Sequence, residues 1–358
     1  MKKRIFAALL AATTALSMTA CGSGDNTKTT SAETTATTET TATAETTATA
    51  ETTAAKEQQT ITFVLDWTPN TNHTGLYVAQ EKGYFEEAGI KLDIVQPPED
   101  GAEVLVASGK AQFGVSFQDS LAPAFAGKSP LPITAVAALI QHNTSGIVSR
   151  KGEGMDRPKG LEGKKYATWD MPVEKAMMQN VVEGDGGDFS KIQMIPSTVD
   201  DEVTALKSKS VDAIWIFYAW AGIATEVKGL ETDYFAFKDL NPIFDYYTPV
   251  LIANNDFLKN DPDTAKAFLN ALKKGYEDAI ADPEGCAEIL LKADPTLDRE
   301  IVMSSQKWLA DQYKAEVQEW GYIDPTRWNG FYNWLNANKL VESDLPENTG
   351  FSNDYLPQ

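Results

Sequence analysis

The chain has 358 residues, with 31 Lys and Arg against 51 Asp and Glu, for a formal net charge of −20. That length exceeds a single small core, and 42% apolar with 10% aromatic residues excludes a chain disordered throughout. The acidity argues against nucleic acid and anionic lipid surfaces as partners, since both need a basic footprint.

Met1 to Ala20 reads as a secretory signal: Lys2, Lys3 and Arg4, then the apolar run Ile5 to Ala12, then small residues. The run is too short for a permanent transmembrane helix. Leu16-Ser17-Met18-Thr19-Ala20 stands before Cys21, and Gly22-Ser23-Gly24 after it. This junction resembles the lipobox of bacterial lipoproteins, which implies cleavage before Cys21 and diacylation of that cysteine. Cys286 is the only other cysteine, so an acylated Cys21 leaves no intramolecular disulfide. Cys286 itself reads as a small core residue in a helix. Residues 22–57 are almost all Thr, Ala, Ser and Glu, with Glu33, Glu39, Glu45 and Glu51 six apart. That period fits neither helix nor strand, so 21–58 is expected to be a lipidated cysteine and an extended tether. The expected location is extracytoplasmic, anchored to the membrane by that lipid.

From Thr60 onward, short apolar runs alternate with helical patterns, as in parallel α/β sheets. Ile61–Leu65 reads as a strand, followed by a helix to Lys82 with Gly83 as its stop. Ile90–Val95, Phe113–Val115 and Ile133–Leu139 read as further strands, with a helix over Ser120–Ala126 that Asp119 could cap. A similar series then begins again. Tyr166–Thr168, Ile192–Ile195 and Ala213–Phe217 read as strands, and helices are expected from Pro172, over Asp200–Lys207 and over Trp220–Lys228. After the strand Val250–Ala253 the chain reads as helical: Asp263–Ile280, Glu284–Leu291, Glu300–Tyr313 and Thr326–Ala337. Two lobes follow from this, 60–147 plus 249–345 and 148–248, with crossovers near Thr144–Val148 and Asp245–Leu251 and a helical tail packed on the first lobe.

The block Asp66-Trp67-Thr68-Pro69-Asn70-Thr71-Asn72-His73-Thr74-Gly75-Leu76-Tyr77 carries a specific resemblance, with Lys82-Gly83-Tyr84-Phe85 and Ala107-Ser108-Gly109-Lys110 behind it. From about Thr60 to at least Leu258 the chain resembles the solute-binding proteins of ABC transporters in the thiamine-pyrimidine family. That family includes a fungal pyrimidine synthase and relatives that bind riboflavin, sulfonates or nitrate. The resemblance implies an α/β, two-lobed type II periplasmic-binding-protein fold that closes like a hinge. It also implies delivery to an ABC permease and its ATPase, which must be separate chains.

Open parallel sheets bind ligands beyond the carboxyl ends of their strands. Those ends give Asp66 and Trp67, then Ser116, Phe117 and Gln118, then Trp169, Tyr218 and Trp220, with Tyr246 at the return crossover. Two facing rings suit a flat aromatic ligand, while Trp215, inside its strand, reads as core. Asn70, Asn72 and His73 read either as loop geometry or as ligand contacts. Glu174, in the first turn after Pro172, is favoured there by the helix dipole alone; the resemblance implies instead that it accepts from an aminopyrimidine's exocyclic amine. His73 and His142 are the only histidines and lack ligand spacing, so no metal and no cofactor are expected.

The expected activity is therefore capture of a thiamine-precursor aminopyrimidine, of the formylaminopyrimidine type, and not catalysis. Riboflavin, or a nitrate, sulfonate or taurine-type solute, is the alternative. An enzyme is disfavoured because Ser116 stands where the synthase has its lysine, and no cysteine-rich run exists.

Overall fold

The computed structural model describes residues 58–357 apart from Thr198 and Asp200. The signal, Cys21 and all but the last residue of the expected tether lie outside the described residues. Ten strands form two five-stranded sheets among them: β1 (Gln59–Val64), β2 (Ile90–Val95), β3 (Phe113–Ser116), β4 (Ile133–Ala138), β5 (Ser145–Arg150), β6 (Lys165–Thr168), β7 (Gln193–Pro196), β8 (Ala213–Phe217), β9 (Thr232–Ala236) and β10 (Val250–Asn254).

The first sheet has the order β2-β1-β3-β10-β4 and the second β7-β6-β8-β5-β9. In each, one strand is reversed: β10 runs antiparallel to β3 and β4, and β5 antiparallel to β8 and β9. The reversed strand is in both cases the one by which the chain enters that sheet from the other lobe. This is the two-lobed type II arrangement that the resemblance implies. β3 and β10 are buried at every residue, which is why they read as unbroken apolar runs.

Two strands were not expected. Ser145–Arg150 falls largely in the segment read as a crossover, because Ser-Gly-Ile-Val-Ser-Arg has neither alternation nor an apolar run, yet all six residues are buried. Its Arg150 is satisfied by Glu153, Asp212 and the carbonyls of Leu206 and Val211. β9 pairs only with β5 and forms the sheet edge, where burial leaves a weaker pattern. Asp119 also differs from expectation. It lies inside the helix Gln118–Ala126, whose N-cap is Phe117 and makes no side-chain capping bond.

The tail does more than cover the first lobe. The helix Pro262–Ala281 crosses Thr74–Glu81 so closely that a Cβ on Gly275 would lie 2.0 Å from the Gly75 carbonyl oxygen. A Cβ on Gly75 would lie 2.4 Å from the Tyr276 ring, so both positions need glycine for the crossing to exist. The helix Arg299–Leu309, capped by Asp298, touches both lobes. It meets the 3-10 turn Thr71–His73 on one side and the π-turn Tyr218–Gly222 on the other. Cys286 is buried in the core as expected, and burial pushes its thiol up to about 11.

Candidate functional site

The carboxyl ends of β1 and β3 in the first sheet and of β6 and β8 in the second converge on one cavity of about 370 Å3. On the first wall, Asn70 caps the turn Thr71–His73 by accepting from the Asn72 amide at 2.9 Å. The Asn70 amide in turn donates to His73 Nδ1 at 3.2 Å. That bond leaves the imidazole proton on Nε2, which faces Asp66 Oδ1 at 2.7 Å. Buried His73 therefore orients Asp66, and Asp66, Asn70 and Asn72 line the cavity beside Trp67.

On the second wall, β6 ends in a loop bound by one carboxylate. Glu174 accepts from Tyr166 Oη at 2.7 Å, Thr168 Oγ1 at 3.0 Å, the Trp169 amide at 3.2 Å and the Met171 amide at 3.3 Å. It is 4% exposed. Its place thus differs from the one expected: it stands behind the wall, with its oxygens turned back onto its own loop, and fixes the residue that does face the cavity, Trp169. Trp67 and Trp169 are 50% and 47% exposed, which leaves ring surface open for a ligand. Trp220 completes the expected wall and packs against the buried cluster of Ala287, Leu290 and Val302.

Five other expected residues lie behind the lining. His73 holds Asp66, as above. Ser116 donates to Glu103 Oε1 at 2.5 Å. Gln118 donates to the Trp328 carbonyl at 2.8 Å and accepts from the Tyr247 amide at 2.9 Å. Tyr218 donates to Glu226 and packs on Tyr234 and Trp308; burial, with Glu226, pushes its phenol up to about 12. Buried Tyr246 stacks on Phe331 with centroids 4.1 Å apart.

Phe117 directly follows β3, within the strand-end segment read from the sequence, and lines the cavity. Other cavity residues were not expected. Phe217 ends β8, so the strand-end rule could have found it. Trp215, read as core, is buried yet also lines the cavity, with its ring 5.7 Å from that of Trp169. Ser197 directly follows β7, where the strand-end rule again applies, Glu202 opens the helix Glu202–Lys207, and Thr144 and Val199 come from connections with no sequence signal for the site. The charged side chains in the described wall are Asp66 and Glu202, both acidic.

Residues 70–286 match the family described as NMT1/THI5 like. The chain belongs to the NMT1/THI5-like family. It is 28% identical over 307 residues to a formylaminopyrimidine-binding protein of Halalkalibacterium halodurans, covering 82% of this chain and 90% of that one. It is 27% identical over 330 residues to a 4-amino-5-hydroxymethyl-2-methylpyrimidine phosphate synthase of Saccharomyces cerevisiae, covering 83% and 87%. NMT1/THI5-like membership thus joins a binding protein and an enzyme at nearly equal distance. Among solved structures, the alkanesulfonate-binding protein of Xanthomonas axonopodis pv. citri superposes with a TM-score of 0.63 at 14% identity, over 83% of this chain and 99% of that one. That likeness concerns the fold.

Proposed function

We propose that this chain is the extracytoplasmic solute-binding component of an ABC importer. It captures a neutral aminopyrimidine of the formylaminopyrimidine type, a thiamine precursor, and hands it to a permease driven by a separate ATPase. The observation that carries this reading is the cavity wall: the indoles of Trp67, Trp169 and Trp220 with acidic Asp66 and Glu202, and no Lys, Arg or His among the described lining residues. Indoles stack on a flat ring, and carboxylates accept from an exocyclic amine. Nitrate or a sulfonate would enter this wall with no cation to compensate its charge. The volume of about 370 Å3 falls at the small end of ligand sites, about 300–1,000 Å3, which favours one ring with a short arm over riboflavin. The formylaminopyrimidine-binding relative supports the same solute class.

Asp66, Trp67, Asn70, Asn72, Trp169 and Trp220 contact the solute in this proposal, and the lobes 60–147 plus 249–345 and 148–248 close on it. Binding is favoured over synthase chemistry because Ser116, held by Glu103, supplies no amine where the resemblance places the synthase's lysine. Cys21 would carry the lipid, in two acyl chains, since one alone anchors only marginally; residues 21–58 would be the tether. Calorimetry on ligand-stripped protein tests the solute. Tight binding of formylaminopyrimidine is expected, and undetectable binding beside micromolar binding of riboflavin, taurine or nitrate overturns the assignment.

A further inference from the structure

Three hydroxyls from the tail hold the turn that carries Asn72 and His73. Tyr276 Oη donates to the Asn72 carbonyl at 2.6 Å and Tyr313 Oη to the Thr71 carbonyl at 2.6 Å. The third, Ser305 Oγ, lies 2.6 Å from Thr71 Oγ1 and also bonds to the Ala219 carbonyl in the second lobe. Ser305 is fully buried and Thr71 nearly so. A carbonyl only accepts, so the single hydroxyl proton of Ser305 goes to Ala219, and Thr71 must donate to Ser305. The order is Thr71 to Ser305 to Ala219. Ala219 sits between Tyr218 and Trp220 in a π-turn, an irregular helical form that often marks functional sites. One serine, in a helix far along the chain, thus joins the turn of one cavity wall to the backbone of the other.

We propose that Ser305 is a positioning residue that latches the two walls together, so that the Thr71–Ser305–Ala219 relay sets how far the cavity stands open and how tightly it holds its solute. The proposal rests on the reading of this cavity as the solute site. The relay is complete only while the π-turn sits against the helix Arg299–Leu309. Chained hydroxyls strengthen one another in a dry interior. Neighbouring contacts are softer: Trp308 lies against Tyr218 with centroids 5.3 Å apart, and Lys228, at the end of the helix that follows the π-turn, pairs with Asp298 at the surface, where an ion pair contributes little.

The test places donor and acceptor dyes on the full chain through Lys91→Cys and Glu183→Cys, one in each lobe, and measures their distance without ligand. Ser305→Ala and Thr71→Val should each lengthen it, and Ser305→Thr should restore it. Calorimetry with formylaminopyrimidine should show about a tenfold loss for either variant and no further loss for the two combined. Thr71→Val keeps the side chain's shape and the Ser305–Ala219 bond, so it serves if Ser305→Ala does not fold. A wild-type distance in the ligand-free variants, with lowered melting temperature alone, overturns the latch and leaves a merely structural serine. Because the distance is read without ligand, it decides the latch even if formylaminopyrimidine fails to bind the wild type, a failure that would instead count against the proposed solute.

Discussion

Phe117 and Phe217 face one another from the two sheets, ring centroids 6.1 Å apart and planes 17° from parallel. Both line the cavity, so the walls meet ring to ring where they converge. Phe117→Ala and Phe217→Ala should each weaken formylaminopyrimidine binding by about 1–2 kcal/mol, and a double-mutant cycle should return a coupling of about 0.5–1.5 kcal/mol. Calorimetry on the four proteins reads this directly. A coupling indistinguishable from zero would show that the rings do not act as a pair.

Glu174 should prove essential to the second wall without touching solute. Glu174→Ala strands the buried Tyr166 Oη and frees the half-buried Trp169 and Met171 amides, and a buried donor left unpaired costs about 1–3 kcal/mol. A lower urea midpoint at unchanged slope is expected, together with weaker binding as Trp169 loses its fixed place. Wild-type stability would mean that water replaces the carboxylate.

Asp66→Asn offers a test by sign. An asparagine oxygen can still accept from His73 Nε2, so stability should change little, while the wall loses a negative charge. Affinity for an amine-bearing pyrimidine should fall by about 1–3 kcal/mol. A rise in affinity for an anionic solute, with the pyrimidine unaffected, would reverse the assignment of that wall.

His142 makes stability depend on pH. Its Nδ1 faces Asp245 Oδ2 at 2.7 Å and its Nε2 faces Glu316 Oε2 at 2.8 Å. Two acceptors require a proton on both nitrogens. The Asp245 bond, then the Glu316 bond, raises its pKa above the ordinary 6.5 against burial and the nearby Arg327. A raised folded-state pKa adds stability that is fully present below about 6.5 and fades as pH rises through the folded value. Urea midpoints should therefore fall as pH rises above about 6.5, and His142→Gln should flatten the slope. With only two histidines in the chain, the imidazole NMR signal lost in His142→Gln assigns the titration.

Most of the architecture is legible wherever a strand is buried on both faces, as for Phe113–Ser116 and Val250–Asn254, because water exclusion writes itself as an apolar run. β5 escapes because its buried polar groups are satisfied by partners distant in the chain: Arg150 finds Asp212 and two carbonyls across the lobe. Trp67, Trp169 and Trp220 follow from the strand-end rule. Glu174 shows where that rule stops. A carboxylate in a first helical turn can face the cavity or fold back on its own loop, and local sequence is the same in both cases. Ser305 lies beyond any local pattern, since its partners are 234 and 86 residues away.

The placement of β10 orders the birth of the molecule. All five strands of the second sheet lie within one continuous stretch, Ser145 to Ala236, whereas the first sheet holds β3 and β4 apart until Val250–Asn254 arrives between them. A chain emerging from its amino end can finish the second lobe while the first still shows two unpaired strand edges. Closing that gap must span the whole second lobe, a slow non-local step. The lobe begun first is completed last, and during that interval it is the part most open to proteases and to mispairing with other chains.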